Sequence, residues 1–253
     1  MNRKRFLAYL AAAGTALLVR PTSLLGADTA ATAASAEKIG PLLPWARLRF
    51  RCEGGDDDDW NGHANGDLNL IEAINRNTTI NLAPNWYVAD VAKLEEMTHF
   101  PFIFMHSELP PVLKEAERSN IREYLMRGGF LFAEDCVNGK HRTQGWSGYG
   151  DLFFLRMRSE FARIVPEAKL ERLPDDHPVF HSVYDIRGGI PHMQGVQHGL
   201  QGLILNGRVI ALLSPSDTHC GWTNGDQWFG PGATTAALRM GINMYVFAMT
   251  QSG

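Results

Sequence analysis

No stretch of this 253-residue chain stays apolar over the roughly 20 residues that a membrane-spanning helix needs. Past its first residues the chain has no run of lysine and arginine, and its formal net charge is -3. The attraction to phosphate that drives nucleic-acid binding therefore has no obvious source, and nucleic acid is not an expected partner. Cysteine is scarce as well. Cys52, Cys136 and Cys220 are too few and too widely spaced for a disulfide framework or a zinc cassette, although one pair plus one free thiol suits a compartment outside the cytoplasm. Internal repeats and a second linker are also missing, so the folded part reads as one domain.

What is present begins with a basic Asn2-Arg3-Lys4-Arg5, an apolar stretch over residues 6–19, and a small residue at Ala27 after Leu25-Gly26. That order predicts a signal peptide over residues 1–27. It is twin-arginine-like, with Lys4 where the second arginine belongs. An uncleaved membrane anchor is the alternative, because Leu25 is a poor residue three before the cut. The expected location is exported, periplasmic or in the cell envelope, with membrane contact only through an uncleaved signal. Residues 28–43 are rich in Ala, Thr and Ser without periodicity and read as a flexible linker. Residues 44–253 form the single domain.

Within that domain strands and helices alternate. Leu48 and Phe50 alternate with arginines as in a strand; Leu68, Ile71 and Ile74 have helical spacing; residues 78–82 are β-branched and strand-like. A short helix is expected over 91–97 and a strand buried on both faces over 100–105. A helix over 114–127 should stop at Gly128-Gly129, with another buried strand over 130–133 directly after it. Asp151 is placed to cap a helix reaching Ile164, a strand follows over 208–213, and an apolar helix closes the chain over 233–249. This alternation predicts an α/β fold with a doubly wound, mostly parallel sheet.

In such sheets ligands sit beyond the carboxyl ends of the strands. Polar residues gather there: Cys52-Glu53 and the acids at 56–59, then His106-Ser107-Glu108, then Glu134-Asp135-Cys136, and finally Ser214, Ser216, Asp217, His219 and Cys220. The competing explanation is that strands end in polar loops in any case.

Residues 100–106, Ile121-Arg122-Glu123-Tyr124-Leu125 running into Gly128-Gly129 and the strand to Asp135, Pro174-Asp175-Asp176-His177-Pro178, Ser214-Pro215-Ser216-Asp217, Cys220-Gly221-Trp222 and Gly241-Ile242-Asn243 occur in a distinctive order. In that order the chain resembles the bacterial family called domain of unknown function 4159. The resemblance implies a flavodoxin-like fold related to class I glutamine amidotransferases and to trehalose-utilisation-type proteins, and no established activity. Amidotransferases hold their nucleophile in a Gly-x-Cys-x-Gly elbow with a His-x-Glu pair later in the chain. Cys136 falls where the elbow would, but Glu134 and Asn138 occupy the glycine positions, and the only His-x-Glu, at 106–108, precedes it. The neighbouring acids also disfavour a thiolate. Working glutaminase chemistry is not expected.

Asp217, His219 and Cys220, with Glu134, Asp135 and Cys136, carry metal-ligating atoms but no recognised spacing, so neither a metal nor any other cofactor is expected. Asp57-x-Asp59-x-Asn61-Gly62 starts like a calcium loop, yet Leu68 stands at its twelfth position, which favours a solvated turn. His177 and His181 flank Pro178 and read as a rigid turn. Trp222, Trp228 and Phe229 are placed in a Gly-rich loop, as a stacking platform or a lid. His141, Arg142, Gln144, Trp146 and Tyr149 lie in a long loop suited to gripping a ligand.

The functional expectation is a non-catalytic ligand-binding or assembly module of the cell envelope, whose partner is an envelope protein or a small molecule. The alternative is a hydrolase for a carbohydrate or peptide-like substrate, using Cys136 or a bound metal ion. The candidate catalytic residues are Cys136, Asp135 and His219, and the candidate ligand-binding residues are His106, Glu134, Asp217 and Trp222. An enzyme would need Cys136 or Asp135 near His106 or His219 in an open cleft.

Overall fold

Strands β1 (Leu43–Arg49), β4 (Phe102–Ser107), β6 (Phe130–Asp135) and β9 (Arg208–Ser214) are almost wholly buried, with all six side chains of β4 and of β6 inside. Residues buried on both faces belong to a parallel sheet covered by helices on each side. The computed structural model describes residues 38, 40–54, 59–137 and 151–251. Among these, β1, β3 (Leu82–Asp90), β4, β6, β7 (Lys169–Arg172), β8 (Gln201–Leu205) and β9 form a seven-stranded sheet in the order β3-β1-β4-β6-β9-β8-β7. A small antiparallel pair joins β2 (Arg51–Cys52) to β5 (Pro111–Val112).

The five strands from β3 to β9 pair in parallel. Counted along the chain they lie in the order 2-1-3-4-5, so the winding reverses between β1 and β4. Two antiparallel strands extend the far edge: β8 pairs with β9, and β7 with β8. Asn206 and Gly207 join β8 to β9 with φ of 51° and 77°. That is the pair of positive angles a two-residue type I′ hairpin requires, and Asn-Gly supplies it with least strain.

Helices α1 (Asn65–Asn77), α5 (Thr218–Phe229) and α6 (Ala233–Thr250) cover one face. Leu70, Ile71, Ile74, Trp222 and Tyr245 pack there on Trp45, Phe102, Phe104 and Phe132. The opposite face carries α2 (Leu94–Met97), α3 (Glu115–Met126) and α4 (Leu152–Ile164), which bury Met97, Ile121, Tyr124, Phe154 and Phe161 against Ile103, Met105, Leu131 and Ala211. The α/β, mostly parallel, doubly wound architecture is as the sequence implies. Among the described residues no helix is long and apolar enough to cross a membrane.

Several local expectations need correction. The β-branched 78–82 stretch is not a strand: the Thr78 hydroxyl donates to the Ile74 carbonyl and its oxygen accepts from the Ile80 amide, closing α1, and the strand starts only at Leu82. Asp151 precedes α4 but does not cap it with its side chain; it turns to His198 and the Val196 amide. Trp222, Trp228 and Phe229 lie on α5, not in a loop. The alternation of Leu48 and Phe50 with exposed arginines holds at Arg49 and Arg51 but not at Arg47, which is buried because the sheet is covered on both sides.

Candidate functional site

The site is built where the winding reverses, at the carboxyl ends of β1 and β4, and extends to β6 and β9. Arg47, from β1, is 1% exposed, and such a charge survives only with a close partner. Asp67 supplies it from the first turn of α1, where the helix dipole also favours an acid. Arg47 Nε lies 3.0 Å from Asp67 Oδ2, and Nη2 donates to the same oxygen. Nη1 reaches the Gly62 carbonyl at 2.9 Å, and Trp45 Nε1 donates to Asp67 Oδ1 at 2.7 Å. Burial alone would push the Asp67 carboxyl up, but Arg47 and His219 outweigh it and bring it down to about 2.

From Asp67 the network runs through two imidazoles. His219 Nε2 is 3.1 Å from Asp67 Oδ2 and 2.9 Å from Arg47 Nη2, and its Nδ1 is 3.1 Å from His106 Nε2. With each ring carrying its proton on Nε2, His219 donates to Asp67 and His106 donates to His219. A His219 protonated on Nδ1 would instead accept from Arg47 Nη2 and donate to His106; the first arrangement gives the Asp67 carboxylate its third donor. His106 Nδ1 then presents a lone pair; it is buried and has no hydrogen-bond partner among the described residues. Burial depresses both rings, His219 to about 4. Gly66 allows this approach: a β-carbon there would stand 2.6 Å from Thr223 Oγ1 and 2.8 Å from His219 Nε2.

Glu134, at the end of β6, is the anchor of α5. Its Oε1 accepts from Ser214 Oγ at 2.7 Å, Thr218 Oγ1 at 2.6 Å and the Thr218 amide at 2.9 Å, and its Oε2 accepts from the His219 amide at 2.8 Å. These are among the amides that a helix start leaves unpaired. Asp217, the preceding residue, has a left-handed φ of 53° and makes no side-chain cap. Burial pushes the Glu134 carboxyl up to about 7 against these donors.

Beside Glu134 lie the thiols. Cys136 Sγ is 3.6 Å from Cys220 Sγ, and both side chains are buried. The contact with Cys220, then burial and the nearby Asp217, push the Cys136 thiol well up. Gln194 Nε2 donates to Asp217 Oδ2 and, at 2.7 Å, to the Val137 carbonyl. Asp217 Oδ1 is buried without a hydrogen-bond partner among the described residues.

The structure thus brings together Cys136, His106, Asp217, His219 and Glu134 from three segments of the chain. Ligand atoms of His106, Cys136 and Asp217 lie within 4.8 Å of one another, and so do those of His63, Cys136 and Cys220. Asp135 alternates to the other face, where Oδ2 accepts from the Phe154 amide of α4 at 2.8 Å. Trp222 offers no ring face to a ligand: it is fully buried, packs on Trp45 and Phe104, and donates to the Ala237 carbonyl at 2.9 Å. His177 and His181 flank a short turn, Pro178–Phe180, as the proline implies. Asp56, Asp57 and Asp58 of the calcium-like loop, and His141, Arg142, Gln144, Trp146 and Tyr149, lie outside the described residues.

Arg47, Asp67, His63 and Gln194 were not candidates in the sequence. For Arg47 and Asp67 a signal exists: an arginine inside the otherwise apolar β1, and an acid in the first turn of the helix behind it. Near this network a cavity of about 440 Å³ is lined by Arg172, Asp175, Gly188, Gly189, His192 and Ser216 among others.

The pH dependence follows from Asp67. Its carboxyl lies below the ordinary 3.8, so its contribution is full above that pH and is lost as pH falls through about 2. At pH 7 Asp67→Asn is expected to cost about 3 kcal/mol in urea unfolding, because it leaves Arg47 buried without its counter-charge. The gap to the parent should narrow by about 2 kcal/mol between pH 4 and pH 2. A gap that is constant with pH would contradict this assignment.

No curated protein matches the chain. Residues 45–249, nearly the whole of the described domain, match the family model described as "Domain of unknown function (DUF4159)". The motifs at the ends of β4, β6 and β9 that build the polar network fall inside this match, and the chain belongs to the DUF4159 family.

Proposed function

We propose that the protein is an exported cell-envelope module, flavodoxin-like and amidotransferase-like in architecture, that binds a small polar ligand without turning it over. The 2-1-3-4-5 order of its parallel strands is the order of flavodoxin-like folds and supports that part of the reading. The basic and then apolar amino terminus supports export.

One observation carries the non-catalytic reading. Cys136, the best-placed nucleophile, is buried against Cys220, and Glu134, the best-placed base, is consumed by four internal donors. A nucleophile must reach its substrate and have a free base beside it. The cavity lined by Arg172, Asp175 and His192 has the size of a small-molecule site and no cysteine among its lining residues. Gly188 and Gly189, with φ of 85° and 84°, bring bare backbone to its wall.

The purified chain is expected to show no turnover above blank on a panel of chromogenic amides, esters and glycosides. A thermal-shift screen of small polar and anionic compounds should find a ligand whose affinity falls roughly tenfold or more in Arg172→Ala and His192→Ala. Turnover that disappears in Cys136→Ala would replace this reading with the hydrolase. Cell fractionation should recover the full chain outside the cytoplasm; recovery from the cytoplasm alone would refute export.

A further inference from the structure

Five side chains that bind transition metals converge beside the polar network. Cys136 follows β6, Asp217 and Cys220 stand at the start of α5, His106 ends β4, and His63 precedes α1. The 3.6 Å between the Cys136 and Cys220 sulfurs is close to the spacing of two thiolates on one tetrahedral zinc, about 3.8 Å for bonds of about 2.3 Å. Within each of two overlapping sets, His106–Cys136–Asp217 and His63–Cys136–Cys220, the ligand atoms are mutually within 4.8 Å.

Two atoms of the cluster point to a cation independently of this spacing. His106 Nδ1 and Asp217 Oδ1 are buried and have no hydrogen-bond partner among the described residues. A Cys136–Cys220 disulfide would leave both in that condition, whereas a cation between them and the sulfurs would satisfy both.

We propose that the cluster binds one thiophilic divalent cation of the zinc class, held by the thiolate of Cys136, which both sets share, with the Cys220 thiolate and, on the solvent side, His63 from one set, and His106 Nδ1 and Asp217 Oδ1 closing in from the other. Binding forms two metal–sulfur bonds and releases the two thiol protons to solvent. The line from His106 Nε2 to His219 Nδ1 and from His219 Nε2 to Asp67 holds the His106 ring as metal-bound histidines are held, by a partner on the second nitrogen. Gln194 does the same for Asp217 by donating to its other oxygen. The mixed sulfur, nitrogen and oxygen donor set selects zinc or cobalt over magnesium or calcium. Such spacing across four segments is invisible to a motif search, which reads ligands close together in sequence.

The test uses the untagged full chain, purified without chelator or reductant, with metal content read by mass spectrometry and cobalt(II) binding read by absorbance. About one zinc per chain is expected, replaceable by cobalt(II) with a thiolate-to-metal charge-transfer band. Cys52→Ser, whose thiol faces Ser107 instead, should keep both signals, and the double variant Cys136→Ser with Cys220→Ser should lose both. His63→Ala, a surface change that spares the fold, should weaken cobalt binding roughly tenfold. The proposal is overturned by a Cys136–Cys220 disulfide in the isolated chain, by folded and reduced chain that gives no charge-transfer band, or by a band that survives in the double variant. If the double variant does not fold, unchanged cobalt affinity in His63→Ala overturns it. None of these readouts depends on the small-molecule cavity, so either proposal can fail without the other.

Discussion

The buried pair of Arg47 and Asp67 is the constraint around which this domain is arranged. A guanidinium and a carboxylate removed from water cost several kcal/mol each unless nearly every polar atom is engaged. Here the engagement is broad: the carboxylate takes Trp45, Arg47 and His219, and the guanidinium reaches the Gly62 carbonyl as well. Meeting those requirements fixes the start of α1 against the end of β1 and draws α5 in over both. The close approach that results leaves room only for a glycine at Gly66.

Glu134 meets the complementary requirement on the neighbouring strand. The first turn of α5 begins with a left-handed Asp217 and lacks a side-chain cap of its own, so the helix start depends on a carboxylate from the sheet. Because that same turn carries His219 and Cys220, anchoring the helix also sets the imidazole relay and the thiol pair. Stability and site geometry thus share their residues. The polar strand ends that look like loop chemistry in the sequence are interior structure, and what remains open to a ligand lies to one side of them.

Much of the frame was legible. The apolar runs before His106 and Glu134 are long enough, and sharply enough bounded, to declare buried parallel strands, and Gly128-Gly129 marks the end of α3 as a glycine stop should. The edge strands β7 and β8 were harder: their burial is partial and their pattern mixed, although Asn206-Gly207 was a readable hairpin signal. Glu134, Cys136, His106, Asp217 and His219 were found because they end strands or start a helix, positions that topology directs to one edge. Arg47, Asp67 and His63 were missed because their roles come from contacts across 20 to 172 positions of sequence, which no local pattern encodes. Trp222 was misplaced because a run containing Gly221 and Gly225 looks like a loop, whereas both glycines serve close packing: a β-carbon on Gly221 would meet Ala237, and one on Gly225 would meet the backbone of Thr234.

The relay from Asp67 through His219 to His106 joins the ion pair to the thiols, and the protonation of its two rings tests the account most directly. Long-range nitrogen–proton correlation spectra of the folded chain at neutral pH should show both imidazoles neutral with the proton on Nε2, the tautomer in which the Asp67 carboxylate accepts from His219 and His219 accepts from His106. A proton on Nδ1 of His219, or a ring still charged well above its depressed value of about 4, would contradict the arrangement from which the rest is built.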